Sequence, residues 1–208
     1  MKLTTVIFDS SSVINNKTDI DNFIPPNPGW NYVRIKNNPE DPDKHTGFCG
    51  KWLLFIPNRE FISVFRKIAK LAKELKLTHC FKASGSPGRG GEHVFCIYCS
   101  DYRQIYFVRK IAETLLSGKF LEKYSYTYKD GTKAIYFKTD NATHYKSNAR
   151  GLSLTLFKFT NQKELFVKEF HDGKPTWKLV TNDNNQRIAD NFENHLMMLE
   201  INETDVDL

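Results

Sequence analysis

The hydrophobic pattern of this chain changes period near residue 120, and that change constrains its fold more than any other feature. From Arg59 to Lys76 the residues Phe61, Phe65, Ile68, Ala72 and Leu75 recur at spacings of four, three, four and three, with Lys and Arg on the other face. That is the period of an amphipathic helix. Past residue 120 the period falls to two. KYSYTYKDGTKAIYFKTD (123–140) places a Lys-Asp-Gly turn between two aromatic, alternating runs, a β-hairpin signal. GLSLTLFKFTN (151–161) and ELFVKEFHDGKPTWKLV (164–180) follow the same rule, the second with His171-Asp172-Gly173 at its turn.

Between these regions the punctuation is clear. KWLLFIP (51–57), closed by Pro57 and Asn58, reads as a buried strand. THCFKAS (78–84) reads as a second strand, SPGRGG (86–91) as a turn and EHVFCIYCS (92–100) as a third strand. Asp101 is expected to cap the next helix, in which Ile105, Val108, Ala112 and Leu115 carry the period to Gly118. Asn182 or Asp183 is expected to cap a last helix with Ile188, Phe192, Leu196 and Leu199. Strand, helix, strand, strand, helix and then hairpins predict an α+β fold, a curved, mainly antiparallel sheet with helices packed on one face.

Five of the eight prolines fall between Pro25 and Pro42, and proline removes a backbone donor and biases its predecessor away from helix. Residues 1–49 are therefore read as a Pro-rich arm packing on the body. In it VIFD (6–9) forms a short strand and Trp30, Tyr32, Val33 and Ile35 are the packing residues. Residues 50–200 form a single domain, as a length of 208 residues suggests, and 201–208 form an acidic tail.

Thirty Lys and Arg against 24 Asp and Glu give a net charge of +6, a surplus that suits anionic partners. The longest apolar runs are about a third of the roughly 20 residues of a membrane-spanning helix, so no membrane span is expected. The N-terminal residues MKLTTVIFDSSSVIN lack the continuous apolar segment of a secretory signal. A cytoplasmic protein follows, with its four cysteines reduced.

Three stretches carry polar chemistry. In KASGSPGRGGE (82–92), backbone N–H groups with Lys82 and Arg89 suit a phosphate, although a strand follows where nucleotide-hydrolysing loops open a helix. The plainer reading is an inter-strand turn. Cys96 and Cys99 form C-x-x-C, but on a strand residues three apart face opposite ways, and no second Cys/His pair lies at finger spacing. They are read as two buried side chains, and no metal or other cofactor is expected. In IYFKTDNATHYKSNAR (135–150), Tyr136 and Lys138 share one face and Ile135 and Phe137 the other. Thr139, Asp140, Thr143, His144, Tyr145, Lys146 and Arg150 fall at the strand end and in the following loop, where binding groups usually sit; Lys138, Lys146 and Arg150 suit a phosphate and His144 an acid or donor, with a solvated basic loop as the alternative. Of the tryptophans, Trp52 belongs to the core, Trp177 to a hairpin, and Trp30 is free to stack on a ligand.

GKWLLFIP (50–57), the helix after it, FKAS (81–84), HVFCIYCSDYRQIYFVRKIAETL (93–115) and YFKTDNAT (136–143) resemble the blocks of the basophilic leukaemia expressed protein family. G-K-W and Y-x-K-x-D-x-x-T are the more specific parts. The resemblance implies a fold similar to that of the cap-binding translation initiation factor four-E. It also implies, since some members are labelled phosphothreonine lyases, a Lys base with a His assisting the departure of phosphate. Lys138 or Lys82 with His144 or His93 would fill those roles.

The leading expectation is a protein that binds a phosphorylated small molecule or RNA, without metal, on the concave sheet face. Lys82, Arg89, Lys138, Thr143 and Arg150 would hold the phosphate and Trp30 would stack. A phosphate-eliminating lyase using Lys138 and His144 is the enzymatic alternative, and a protein–protein adaptor working through the N-terminal arm is the third.

Overall fold

The computed structural model describes residues 3–9, 30–36, 48–75, 80–88, 90–140, 142, 155–171 and 174–181. Strand β1 (Leu3–Asp9) runs parallel to β2 (Trp30–Lys36), and every other pairing is antiparallel. Strand β3 (Gly50–Pro57) ends at a proline that cannot donate to the ladder. A 3-10 turn (Asn58–Glu60) then leads into helix α1 (Phe61–Leu75). Strands β4 (Cys80–Ser84) and β5 (Glu92–Cys99) follow, then α2 (Ile105–Ser117) and the short α3 (Phe120–Tyr124). The chain closes with β6 (Tyr126–Thr127), β7 (Lys133–Thr139), β8 (Phe157–Thr160), β9 (Leu165–His171) and β10 (Lys174–Leu179).

Among the described residues these strands make one open sheet in the order β1-β2-β4-β5-β3-β7-β8-β9-β10, with β6 also on β7. The architecture is the expected α+β arrangement, a curved, mainly antiparallel sheet with helices. Alternation does the sorting. Trp52, Leu54 and Ile56 of β3, Phe95 and Ile97 of β5, and Ile135 and Phe137 of β7 are buried in one core with Phe61, Val64, Phe65, Ile68, Ala69 and Ala72 of α1 and the inner stripe of α2. Fully buried Trp52 is the hub: its indole Nε1 donates to the Val108 carbonyl of α2 at 3.0 Å, and the Phe137 ring meets it edge-on at 5.3 Å. A Cβ on Gly50 would collide with the Phe137 ring and lie 3.1 Å from the Lys138 carbonyl oxygen. The glycine of G-K-W is thus required by how closely β7 packs against β3.

Two sequence expectations change, and one element was not foreseen. Residues 30–36 form a strand within the Pro-rich stretch, because the prolines flank this segment and none falls inside it. Asp101 does not cap α2. Its carboxylate folds back on Arg103, accepting from the backbone N at 3.0 Å, Nε at 2.9 Å and Nη2 at 2.6 Å, while Gln104 stands at the cap without a side-chain bond. Asp101 sits three residues ahead of that cap, so a turn forms first. Burial pushes its carboxyl up, but the Arg103 bonds outweigh it and hold the group below the usual range. Helix α3 is too short to leave a period in the sequence; it is entered through Lys119 at φ 62°. The expected last helix and acidic tail lie outside the described residues.

Candidate functional site

The face of the sheet turned away from the core collects lysines and aromatic rings. Register fixes this. Lys82 of β4 stands opposite Cys96 of β5, Tyr98 of β5 opposite Lys51 of β3, and Lys51 opposite Lys138 of β7. Farther across, Tyr136 stands opposite Lys158 of β8, Lys158 opposite Phe166, and Lys168 of β9 opposite Trp177 of β10. Five strands thus each place a lysine on one face, among rings.

The central group is the tightest. Lys51 is only 6% exposed, and its Nζ donates to Asp140 Oδ1 at 2.5 Å. The Lys51 and Lys82 ammonium groups both lie 5.5 Å from the Tyr98 ring centre, and Lys82 sits 4.5 Å over the Trp30 ring. Each such contact contributes roughly 0.5–2 kcal/mol as it loses water. Burial and the neighbouring Lys51 charge hold the half-buried Lys138 ammonium below its ordinary pKa. Beneath these cations, burial pushes the Cys96 thiol up to about 11. It is a protonated filler, not a nucleophile.

The second group lies across β7. Lys158 is ringed by Phe166 at 4.4 Å, Trp177 at 5.1 Å and Tyr128 at 5.5 Å. Lys168, 7% exposed, donates to Thr155 Oγ1 at 3.0 Å, and burial pulls its pKa down to about 8. The hydroxyls of Tyr128 and Tyr136 are hydrogen-bonded to each other, and burial followed by that bond pushes the Tyr136 phenol up.

A cleft opens beside the central group. Strand β3 pairs with β7 only from Gly50 to Leu53; beyond the Leu53–Tyr136 pair the edge of β7 passes to β6. The resulting fork encloses about 330 Å³, lined by Leu53, Phe55, Glu92, Ser125, Tyr126 and Tyr136 among others. At one side Glu60 accepts from Tyr124 at 2.6 Å and is bonded to Lys123, which together hold its carboxyl below the usual range.

Of the residues singled out from sequence, the structure brings Lys82, Lys138 and Trp30 onto this one face. Arg89, Thr143, His144 and Arg150 lie outside the described residues. His93 is on the core face: Nδ1 is 2.7 Å from the Ser84 carbonyl, Nε2 is 2.9 Å from Asn58 Oδ1, and the ring stacks on Phe61 at 4.0 Å. It cannot reach Lys82 or Lys138 across the sheet. The Gly-rich turn bonds to itself and to its neighbours, with Gly91 N donating to Gly88 O at 3.0 Å and Gly88 N to Glu92 O at 2.8 Å. The sequence reading passed over Lys51, Tyr98, Lys158, Lys168 and Trp177 as site residues, whereas Asp140 stood among the polar residues it placed at the end of β7. Lys51 left a signal, as the single charge in an otherwise apolar strand. Among the described residues no three His, Cys, Asp or Glu side chains gather as a metal would need, and no helix is long and apolar enough to cross a membrane.

The two specific motifs meet in space: G-K-W supplies Lys51, and Y-x-K-x-D supplies Tyr136, Lys138 and Asp140, on paired strands. No curated protein matches the chain. Residues 44–146, which hold Lys51, Lys82, Tyr98, Lys138 and Asp140, match the family model described as basophilic leukemia-expressed protein Bles03, and this part of the chain belongs to that family.

Proposed function

We propose that the open sheet face binds a phosphorylated ligand, a nucleotide or RNA, without metal, in a cytoplasmic setting that keeps the buried thiols reduced. The observation that carries this reading is the direct cross-strand pairing of Lys51 and Lys138, with Lys82 nearby. Like charges directly opposite each other destabilise a sheet. The carboxylate in the group, Asp140, is engaged by Lys51. An added dianion would neutralise Lys138, and the aromatic rings of this face suit a base by stacking.

Titration with nucleotides and short RNAs at two salt concentrations tests this. Affinity is expected to fall steeply as salt rises. Absence of binding at low salt would overturn the reading.

Phosphate elimination is a second reading, favoured by the depressed Lys138 pKa. A neutral Lys138 amine would take the proton α to the carbonyl while the β carbon–oxygen bond breaks and phosphate leaves. It predicts dehydrobutyrine and free phosphate from a phosphothreonine peptide by mass spectrometry, and intact peptide would exclude that substrate. An adaptor role through residues 1–49 predicts a partner lost on their removal, although β1 and β2 would go with them.

A further inference from the structure

We propose that the fork between β3 and β6 is the base-binding half of a nucleotide site whose phosphate lies on Lys138, beside the Lys51–Asp140 pair. This rests on the phosphate-binding reading and adds a ligand orientation to it.

Four observations converge. The fork, of about 330 Å³, opens on the lysine face, because Leu53 and Tyr136 in its lining share that face with Lys51 and Lys138. Each lysine is two residues along its strand from the lining residue, so the cation row and the fork are separated by roughly 7 Å. That is the span of a sugar between a base and its 5′-phosphate. The rim is aromatic and wet: Phe55 is 47% exposed and Tyr126 is 61% exposed. Large apolar rings left in water beside a cavity are what a stacking ligand would cover.

The third observation is polar. Ser125 lines the fork, and its Oγ, closed off from solvent, has no hydrogen-bond partner among the described residues. A buried hydroxyl without a partner is costly. Rotation of the Ser125 side chain into the fork would let a nucleobase, with donors and acceptors around its edge, satisfy it, whereas the phenyl ring of a phosphotyrosine would not. The fourth is charge polarity. Glu92 and Lys123 both line the fork, and Lys123 is paired with Glu60, so the unbalanced charge at that end is the Glu92 carboxylate, which repels phosphate and can accept from a base N–H group; the lysines attract phosphate at the other end. The gradient therefore sets one orientation.

Calorimetric titration of the full chain with AMP, UMP, adenosine, ribose 5-phosphate and phosphotyrosine tests the proposal. A nucleoside monophosphate is expected to bind about tenfold or more tightly than ribose 5-phosphate, as stacking of one base allows. Tyr126→Ala and Ser125→Ala are each expected to reduce that preference while leaving ribose 5-phosphate affinity unchanged. Unfolding curves of both variants check that the fold persists.

Equal affinity for nucleotide and ribose 5-phosphate, with dependence on Lys138, would overturn the fork as a base site and leave the phosphate reading standing. Tighter binding of phosphotyrosine than of nucleotide would overturn it in favour of a peptide ligand. No binding of any phosphate-bearing probe would overturn both.

Discussion

The two faces of the sheet are built from the same strands and obey opposite rules. On the helix side Trp52, Leu54, Phe95, Phe137, Phe157 and Phe159 are fully buried. The polar groups that intrude there are satisfied: Trp52 by Val108, His93 by Ser84 and Asn58, and Thr139 by the Ala142 N–H. On the other side one step of the pleat brings Lys51, Lys82, Lys138, Lys158 and Lys168, partly stripped of water, and all of them but Lys138 lie over aromatic rings. One face is finished by the fold. The other carries charge that a ligand would complete. The comparison teaches that half-burial of cations, not net charge, marks the candidate surface, since Lys67 of α1 adds to the same +6 and is exposed.

The comparison breaks if core-face changes leave stability intact or open-face changes destroy it. Trp52→Ala is expected to have the largest effect, about 3–5 kcal/mol lost in denaturant unfolding, from the cavity left at the centre of the core. Gly50→Ala should cost roughly 1–3 kcal/mol by the same measurement, because the new Cβ must displace the packed Phe137 ring. Lys138→Met should weaken binding of a phosphorylated ligand by about tenfold or more, the worth of one charge-assisted bond, with unfolding shifted by no more than about 0.5 kcal/mol.

Lys168→Met sharpens the contrast through pH. The folded pKa of Lys168, about 8, lies below the ordinary lysine value of 10.5, so the unfolded chain holds more protons between the two. Stability from this group therefore rises with pH across that window, and its burial penalty is full below pH 8. The variant is expected to raise Tm at pH 7, with the gain shrinking as pH climbs from 8 toward 10.5. A constant gain would show that charge burial is not its cause. The smallest effect is electrostatic: Lys51→Met should raise the Lys138 pKa, read by NMR titration of the lysine side chains, because one of its two depressing causes is removed.

Much of the fold was legible. The helical period of 61–75, the apolar run ending at Pro57 and the Lys-Asp-Gly turn, where Gly131 takes φ 83°, are local signals that packing reinforces. Helix α3 was not legible, having five residues, and strand β2 was obscured by the prolines around it. The site was legible in fragments. Lys82, Lys138 and Trp30 stood out by chemistry, but Lys51 is 87 residues from Lys138, and no sequence pattern pairs them.

The alternation of apolar and polar residues settled which side chains each strand would bury, because a period of two is a property of the backbone at each strand alone. Which lysine faces which, where β3 leaves β7 and opens the fork, and that G-K-W meets Y-x-K-x-D were settled by strand order and register. Those depend on how distant segments pack around Trp52 and Phe137, and a one-residue slip would have turned every one of these cations to the other face.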